Sequence, residues 1–165
     1  MMEFLASIEQ LSFSTWVREG GALYGYAMIL FFHTIGIALV AGSIFIVDVR
    51  LLGVSPSLPL KPLAKLYPVM WWGFILNTIT GVILLMADAT TKMTNPDFYV
   101  KMALIVVGLL VQRTIQKKIL TDPQVEAGGL PSGATGLAWL SLICWFGTVL
   151  AGRLLAYLGP VAGLA

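Results

Sequence analysis

Residues 21–47, GALYGYAMILFFHTIGIALVAGSIFIV, carry no lysine, arginine, aspartate or glutamate, and one imidazole, His33, near their middle. A helix that crosses a bilayer needs about twenty mostly apolar residues in a row. Hydrocarbon offers the backbone no water, so only a helix or a closed barrel can satisfy its own hydrogen bonds there. The stretch is long enough and apolar enough to be such a helix. Working outward, residues 69–87, 98–115 and 136–158 qualify in the same way. The reading is an all-α membrane protein, a bundle of four transmembrane helices.

Composition supports it: 58% of the 165 residues are hydrophobic and 11% are charged, against about 25% charged in a soluble domain. The length suits a single integral membrane domain over 1–165. Net charge is +2 with no polybasic run, which argues against a nucleic-acid partner and leaves the lipid bilayer as the main one. The lone Cys144 excludes an intramolecular disulfide and a thiolate metal cluster. Glu3, Glu9 and Glu19 outnumber Arg18 at the start of the chain, unlike a basic secretory leader, so the N-terminus is expected to be retained.

Phe4, Leu5, Ile8, Leu11 and Trp16 recur at near-helical spacing with Glu9, Gln10 and Ser12 between them, which predicts an amphipathic helix over about 3–18 lying flat in the membrane interface. Asn95, Pro96 and Asp97 supply an N-cap side chain, a first-turn proline and an acid at the positive end of the third span. The proline-rich 53–62 and the glycine-rich 121–135 read as loops. Tyr24, Tyr26, Phe98, Tyr99 and Tyr157 fall at one interface, and Tyr67, Trp71 and Trp72 at the other. Arg50, Lys61, Lys65, Arg113, Lys117 and Lys118 flank the first and third connections, against Arg18, Lys92, Lys101 and Arg153 elsewhere. By the positive-inside bias the first and third connections are cytoplasmic and both termini periplasmic, in a bacterial inner membrane.

Membrane helices associate through small residues and a few interhelical hydrogen bonds. Three faces offer them: Thr34, Ala38 and Gly42; Gly73, Asn77 and Gly81; Cys144, Thr148, Gly152 and Ala156. Cys144 reads as packing, because apolar surroundings keep a thiol inert. One such strip is expected to join copies of the chain or dock it onto a larger membrane complex.

An ionisable group deep in a span is costly and marks function by default. His33 is therefore the first candidate, either as a metal or haem ligand through one ring nitrogen or hydrogen-bonded to Asn77 of the second span. Gly36, one turn on, would leave room beside it for a flat macrocycle. Six-coordinate iron needs a second axial group, from Met28, Met70, Met86, Met102 or a second copy's imidazole. Arg153 can snorkel, pair with Asp88 or hold a carboxylate such as a haem propionate. Asp88 with Lys101, and Asp48 with Arg50, read as solvated helix-end pairs. No phosphate loop, zinc-protease motif or nucleophile elbow occurs, so the chain is not expected to be an enzyme.

The blocks FFHTIG at 31–36, DVRLLG at 48–53, PVMWWGF at 68–74, Asn77 with Thr80 and Gly81, Ala87 with Asp88, and AGRLLAY at 151–157 carry a resemblance. Together they resemble a family of small bacterial inner-membrane proteins known as a domain of unknown function. More distantly the chain looks like the copper-resistance D and dihaem b-type cytochrome membrane domains, whose bundles hold haem with intramembrane histidines. That resemblance implies His33 as a ligand of haem b and Arg153 as a partner of its propionate; Asn77, at the depth of His33 on the second span, is the third candidate cofactor contact from the residues themselves. A single histidine departs from it and excludes a bis-histidine haem within one copy. The functional expectation is a non-catalytic subunit or accessory protein of a respiratory or other electron-transfer system. A haem-b carrier and a small transporter or metal-handling protein, its path lined by His33, Asn77 and methionines, stand as rivals.

Overall fold

A computed structural model describes residues 2–126 and 129–157; Leu158, and the side chains of Ala156 and Tyr157, lie outside the described part. Two short helices open the chain, α1 (Met2–Glu9) and α2 (Ser12–Glu19), followed by a single turn, α3 (Gly21–Tyr24). Four long helices follow: α4 (Tyr26–Leu51), α5 (Leu66–Met86), α7 (Pro96–Thr114) and α9 (Ala134–Tyr157). Short helices α6 (Ala89–Thr94) and α8 (Pro123–Glu126) lie in the second and third connections. Among the described residues there is no strand, and all four long helices are long and apolar enough to cross a membrane. The chain is an all-α, multi-pass membrane bundle. Its two ends are called here the terminal face, where α1–α3 and α6 lie, and the loop face, formed by the first and third connections.

Local chemistry sets the helix ends. The first span starts at Tyr26 rather than 21, because Gly25 adopts φ −99° and ψ −127° and breaks the helix from the preceding turn. It runs on to Leu51 and stops at Gly53, whose φ of +88° suits glycine; Gly53 N–H donates to Arg50 O (3.1 Å) and Val54 N–H to Val49 O (3.2 Å). At α7 the Asn95 side chain accepts from Asp97 N–H at 2.9 Å with Pro96 behind it, the cap that the sequence proposes. The same helix continues through Ile115–Ile119 with a widened turn, Leu120 N–H reaching Ile115 O at 3.0 Å.

The spans pack as two close pairs, α4 with α5 and α7 with α9, and α4 also meets α9. Gly36 and Gly73 let the first pair touch backbone to backbone. A Cβ at Gly73 would lie 2.7 Å from Leu39 Cβ, and one at Gly36 would lie 2.9 Å from the Asn77 backbone nitrogen. The face used by α4 is thus Gly36, Val40, Ser43, Ile44 and Val47. The expected Thr34, Ala38 and Gly42 face is not: nothing lies within 4 Å of a Cβ at Gly42. Both ladders repeat every four residues or so, and only the fit against Gly73 chooses between them. In the second pair Gly108 packs on Trp145 and on Cys144, whose side chain is buried as expected of a packing residue.

One continuous buried core, running from Val40 to Leu51 on α4 and taking in Tyr67, Met70, Val111, Ile115 and Ala138, fills the bundle toward the loop face. Buried residues at the terminal face, Leu5, Val17, Leu84 and Ala89 among them, do not belong to it.

The N-terminal segment is two helices, not one, broken at Gln10 and Leu11, where the Ser14 hydroxyl donates back to Ile8 O at 2.8 Å. It is docked on protein. Glu9 accepts from the Thr90 N–H (2.6 Å) and hydroxyl (2.7 Å), capping α6 from outside, and Arg18 donates to Ala87 O at the end of α5 (3.1 Å). Leu5 and Val17 are buried by this docking, while Phe4, Leu11 and Trp16 stay exposed for lipid. Burial raises the Glu9 carboxyl, but the Thr90 hydrogen bonds and Arg18 outweigh it and hold it below the usual carboxylate value.

Two outcomes follow from this packing. Gly73→Val should destabilise the protein by about 1–3 kcal/mol through overpacking, with Gly42→Val close to neutral, in thermal unfolding in mild detergent. Because the Glu9 carboxyl is lowered in the folded state, its contribution to docking is full above its unfolded pKa and is lost as pH falls through its folded pKa. The protection of residues 2–19 against hydrogen exchange, taken relative to the intrinsic rate at each pH, should therefore fall on acidification in the wild type and be low throughout in Glu9→Gln.

Candidate functional site

The polar groups at depth fall into two sets. Toward the loop face each span contributes one: Asp48 from α4, Tyr67 from α5, Gln112 from α7 and Ser141 from α9, none more than 2% exposed. Gln112 is the hub. Its amide nitrogen donates to Ser141 Oγ (2.6 Å) and to Asp48 Oδ1 (3.2 Å), and its carbonyl oxygen accepts from the Tyr67 hydroxyl (2.9 Å). Ser141 also hydrogen-bonds the Asp48 carboxyl. The Asp48 and Arg50 pair expected from the sequence does not form. Asp48 turns into the bundle, while the Arg50 guanidinium donates to Leu58 O (2.6 Å) and Pro56 O (2.9 Å), fastening the first loop under the helix end. A helix carries residues 48 and 50 about 200° apart, so one faces the core when the other faces out. The space beside Tyr67 and Gln112, bounded by Ser43, Met70 and Leu66, is too tight for a water molecule. With its hydrogen bonds made and no room for a substrate, this set is a clasp.

The second set lies nearer the terminal face, around His33. The ring is half-buried, and its Nδ1 lies 2.9 Å from the Thr80 hydroxyl of α5. That hydroxyl has one proton and donates it to Leu76 O (2.8 Å) within its own helix. It therefore accepts from His33, which places the imidazole proton on Nδ1 and leaves the Nε2 lone pair unspent. The partner helix is the expected one, but the partner residue is Thr80 and not the Asn77 side chain. Asn77 stands beside the ring through its backbone, and its Oδ1 is buried without a hydrogen-bond partner. Gly81 makes room for the ring: a Cβ there would lie 3.2 Å from His33 Cε1.

The other sequence candidates separate. Arg153 is exposed on α9. Its neighbour Gly152 lies against the Lys101 side chain of α7. Asp88 lies 3.6 Å from Lys92 Nζ, one turn along, instead of meeting Lys101. Lys92 also donates to Leu84 O at 2.9 Å, and burial holds its ammonium below the usual lysine value.

The residues supply one axial nitrogen for a haem in His33 Nε2, but they do not enclose the macrocycle within the α4–α5 pair. The room expected beside Gly36 is taken by Asn77 and Gly73, and Gly81 is already closed by the ring itself. Met70 is sealed in the loop-face core, and Met28 and Met102 are exposed on separate helices. Among the described residues no three His, Cys, Asp or Glu side chains gather as a metal site. A haem buried inside this pair of helices therefore does not fit.

Fold and site together define a multi-pass helical membrane protein with a structural polar clasp and one anchored imidazole. Comparison with family models, with curated proteins and with solved structures finds no match to this chain.

The clasp predicts an order of effects. Gln112→Leu strands three buried partners and should cost about 1–3 kcal/mol or more, whereas Tyr67→Phe removes one bond and should cost about 0.5–1.5 kcal/mol. Thermal unfolding of the two variants in the same detergent measures the difference; equal losses would mean that Gln112 is no hub.

Proposed function

We propose that this chain is a non-catalytic accessory subunit of a respiratory or other electron-transfer system in the bacterial inner membrane, with both termini periplasmic. The observation that carries the reading is His33: an imidazole within a span, its Nδ1 proton fixed on Thr80 and its Nε2 lone pair left for a contact outside the chain. A metal- or acceptor-facing imidazole is commonly oriented in this way, by a hydrogen bond from its other nitrogen. The clasp supports the non-catalytic part, since it spends its acid, amide and hydroxyls on one another and has no room for substrate. Sequence blocks around His33 and Arg153 that resemble haem-holding membrane domains support the electron-transfer setting. Because a haem does not fit inside the α4–α5 pair, the contact is assigned to a partner subunit or its cofactor beside the half-buried ring.

Absorption spectra test this. Isolated from an overproducing strain, the chain should show protein absorbance alone, oxidised or dithionite-reduced. Taken from its native membrane in mild detergent, it should carry the visible absorbance of a redox partner, and His33→Ala should lose that absorbance while staying folded. A Soret band in the isolated chain that disappears in His33→Ala would instead make it a haem carrier. Absence of any redox-active partner from the native preparation would sink the accessory reading.

A further inference from the structure

Among the described residues Lys101 is a charge without a counter-charge. It lies on α7 six residues after Asn95, the cap that marks the terminal face, which is about 9 Å into the span at 1.5 Å per residue. An ammonium at that depth is costly unless something negative or strongly accepting meets it. Among the described residues it makes no hydrogen bond and no ion pair. The charged groups near enough to act on it bring no relief: Lys92 is a second cation, and His33, which feels the Lys101 charge, offers no negative charge. Asp88 is committed to Lys92, and Glu9 to Thr90.

The usual escape is for a lysine to stretch its stem toward the headgroups. Here the end of the stem is laid across α9 instead. Measured from where a Cβ would stand at Gly152, Lys101 Cδ is 3.8 Å away, Cε 3.6 Å and Nζ 3.5 Å. Gly152 thus forms a shallow seat that holds the ammonium at a fixed level. The buried core that joins the two helix pairs lies toward the loop face, and the buried residues of the terminal half stand apart from it. An anion arriving at this level would meet the Lys101 ammonium on Gly152, with Lys92 near enough to act on it.

We propose that Lys101, seated on Gly152 and backed by Lys92, binds the phosphodiester of an anionic membrane lipid at the terminal half of the bundle. A phosphate oxygen accepts from Nζ and supplies the negative charge that no described residue places there. Since Asp88 already compensates Lys92, the one uncompensated charge of Lys101 favours a lipid of net negative charge over phosphatidylcholine, whose phosphate is already compensated by its own ammonium. The site holds whether or not His33 meets a cofactor.

Native mass spectrometry of the detergent-solubilised full chain, titrated with phosphatidylglycerol or phosphatidylcholine, tests it. Wild type should retain phosphatidylglycerol preferentially; Lys101→Gln should bind it about tenfold more weakly, the loss expected for one charge-assisted hydrogen bond, and Lys101→Arg should restore part of it. If Lys101→Gln does not fold, Gly152→Leu takes its place, since it fills the seat and keeps the charge, and it should also weaken retention. Equal retention of the two lipids by wild type, or retention of phosphatidylglycerol unchanged in a folded variant, would overturn the proposal. Displacement of the lipid by millimolar inorganic phosphate would assign the site to a free anion and overturn the lipid assignment.

Discussion

The Gln112 amide holds the bundle together in a way that apolar contact in a membrane cannot. Helices surrounded by lipid gain little from hiding leucine from leucine, so their rotation and register must be fixed by shape and by polar groups that have nowhere else to go. Gln112 makes bonds to Asp48, Tyr67 and Ser141, and thereby ties one residue of every span to a single point. Rotating any span by one residue, about 100°, would carry its member out of reach and strand the others in a low-dielectric interior. The loop-face core of Val40, Ile44, Val111 and Ile115 packs around the same point, and the Arg50 bonds to the first loop close the end beneath it.

Toward the terminal face the bundle is held differently. Backbone contact at Gly36 and Gly73 keeps α4 on α5, and Gly108 keeps α7 on Trp145 and Cys144 of α9. The N-terminal helices satisfy exposed helix ends there: Glu9 meets the Thr90 amide in the first turn of α6, and Arg18 meets the Ala87 carbonyl just past the end of α5. Both are the positions where helix dipoles favour an acid and a base respectively. The contrast with the clasp is chemical. At the loop face Asp48, Tyr67, Gln112 and Ser141 answer one another, with the Trp145 indole N–H left over beside them, whereas toward the terminal face the Lys101 ammonium and the buried Asn77 Oδ1 find no hydrogen-bond partner among the described residues. Evolution tolerates such groups in a membrane when something else satisfies them.

Much of this protein was determined by local chemistry. Four apolar runs of about the length a spanning helix needs, the proline and asparagine at Asn95–Pro96, and Gly53 with its left-handed turn set the number of spans and several of their ends before any tertiary contact forms. His33 was also legible as a candidate, since an imidazole is conspicuous in a stretch with no lysine, arginine, aspartate or glutamate. Tertiary structure decided which neighbour it takes. Asn77 and Thr80 both lie on the second span about one turn apart, and only the rotation imposed by the Gly36–Gly73 contact brings the Thr80 hydroxyl to Nδ1 and puts Asn77 over Gly36. The clasp was hidden for a similar reason. Asp48 and Tyr67 look like interface residues, Gln112 and Ser141 like isolated polar residues in apolar runs, and no spacing along the chain relates four positions on four helices. Sequence fixes periodicity within a helix, but the relative rotation of separate helices is a property of their shared contacts, and those exist only once the bundle has formed.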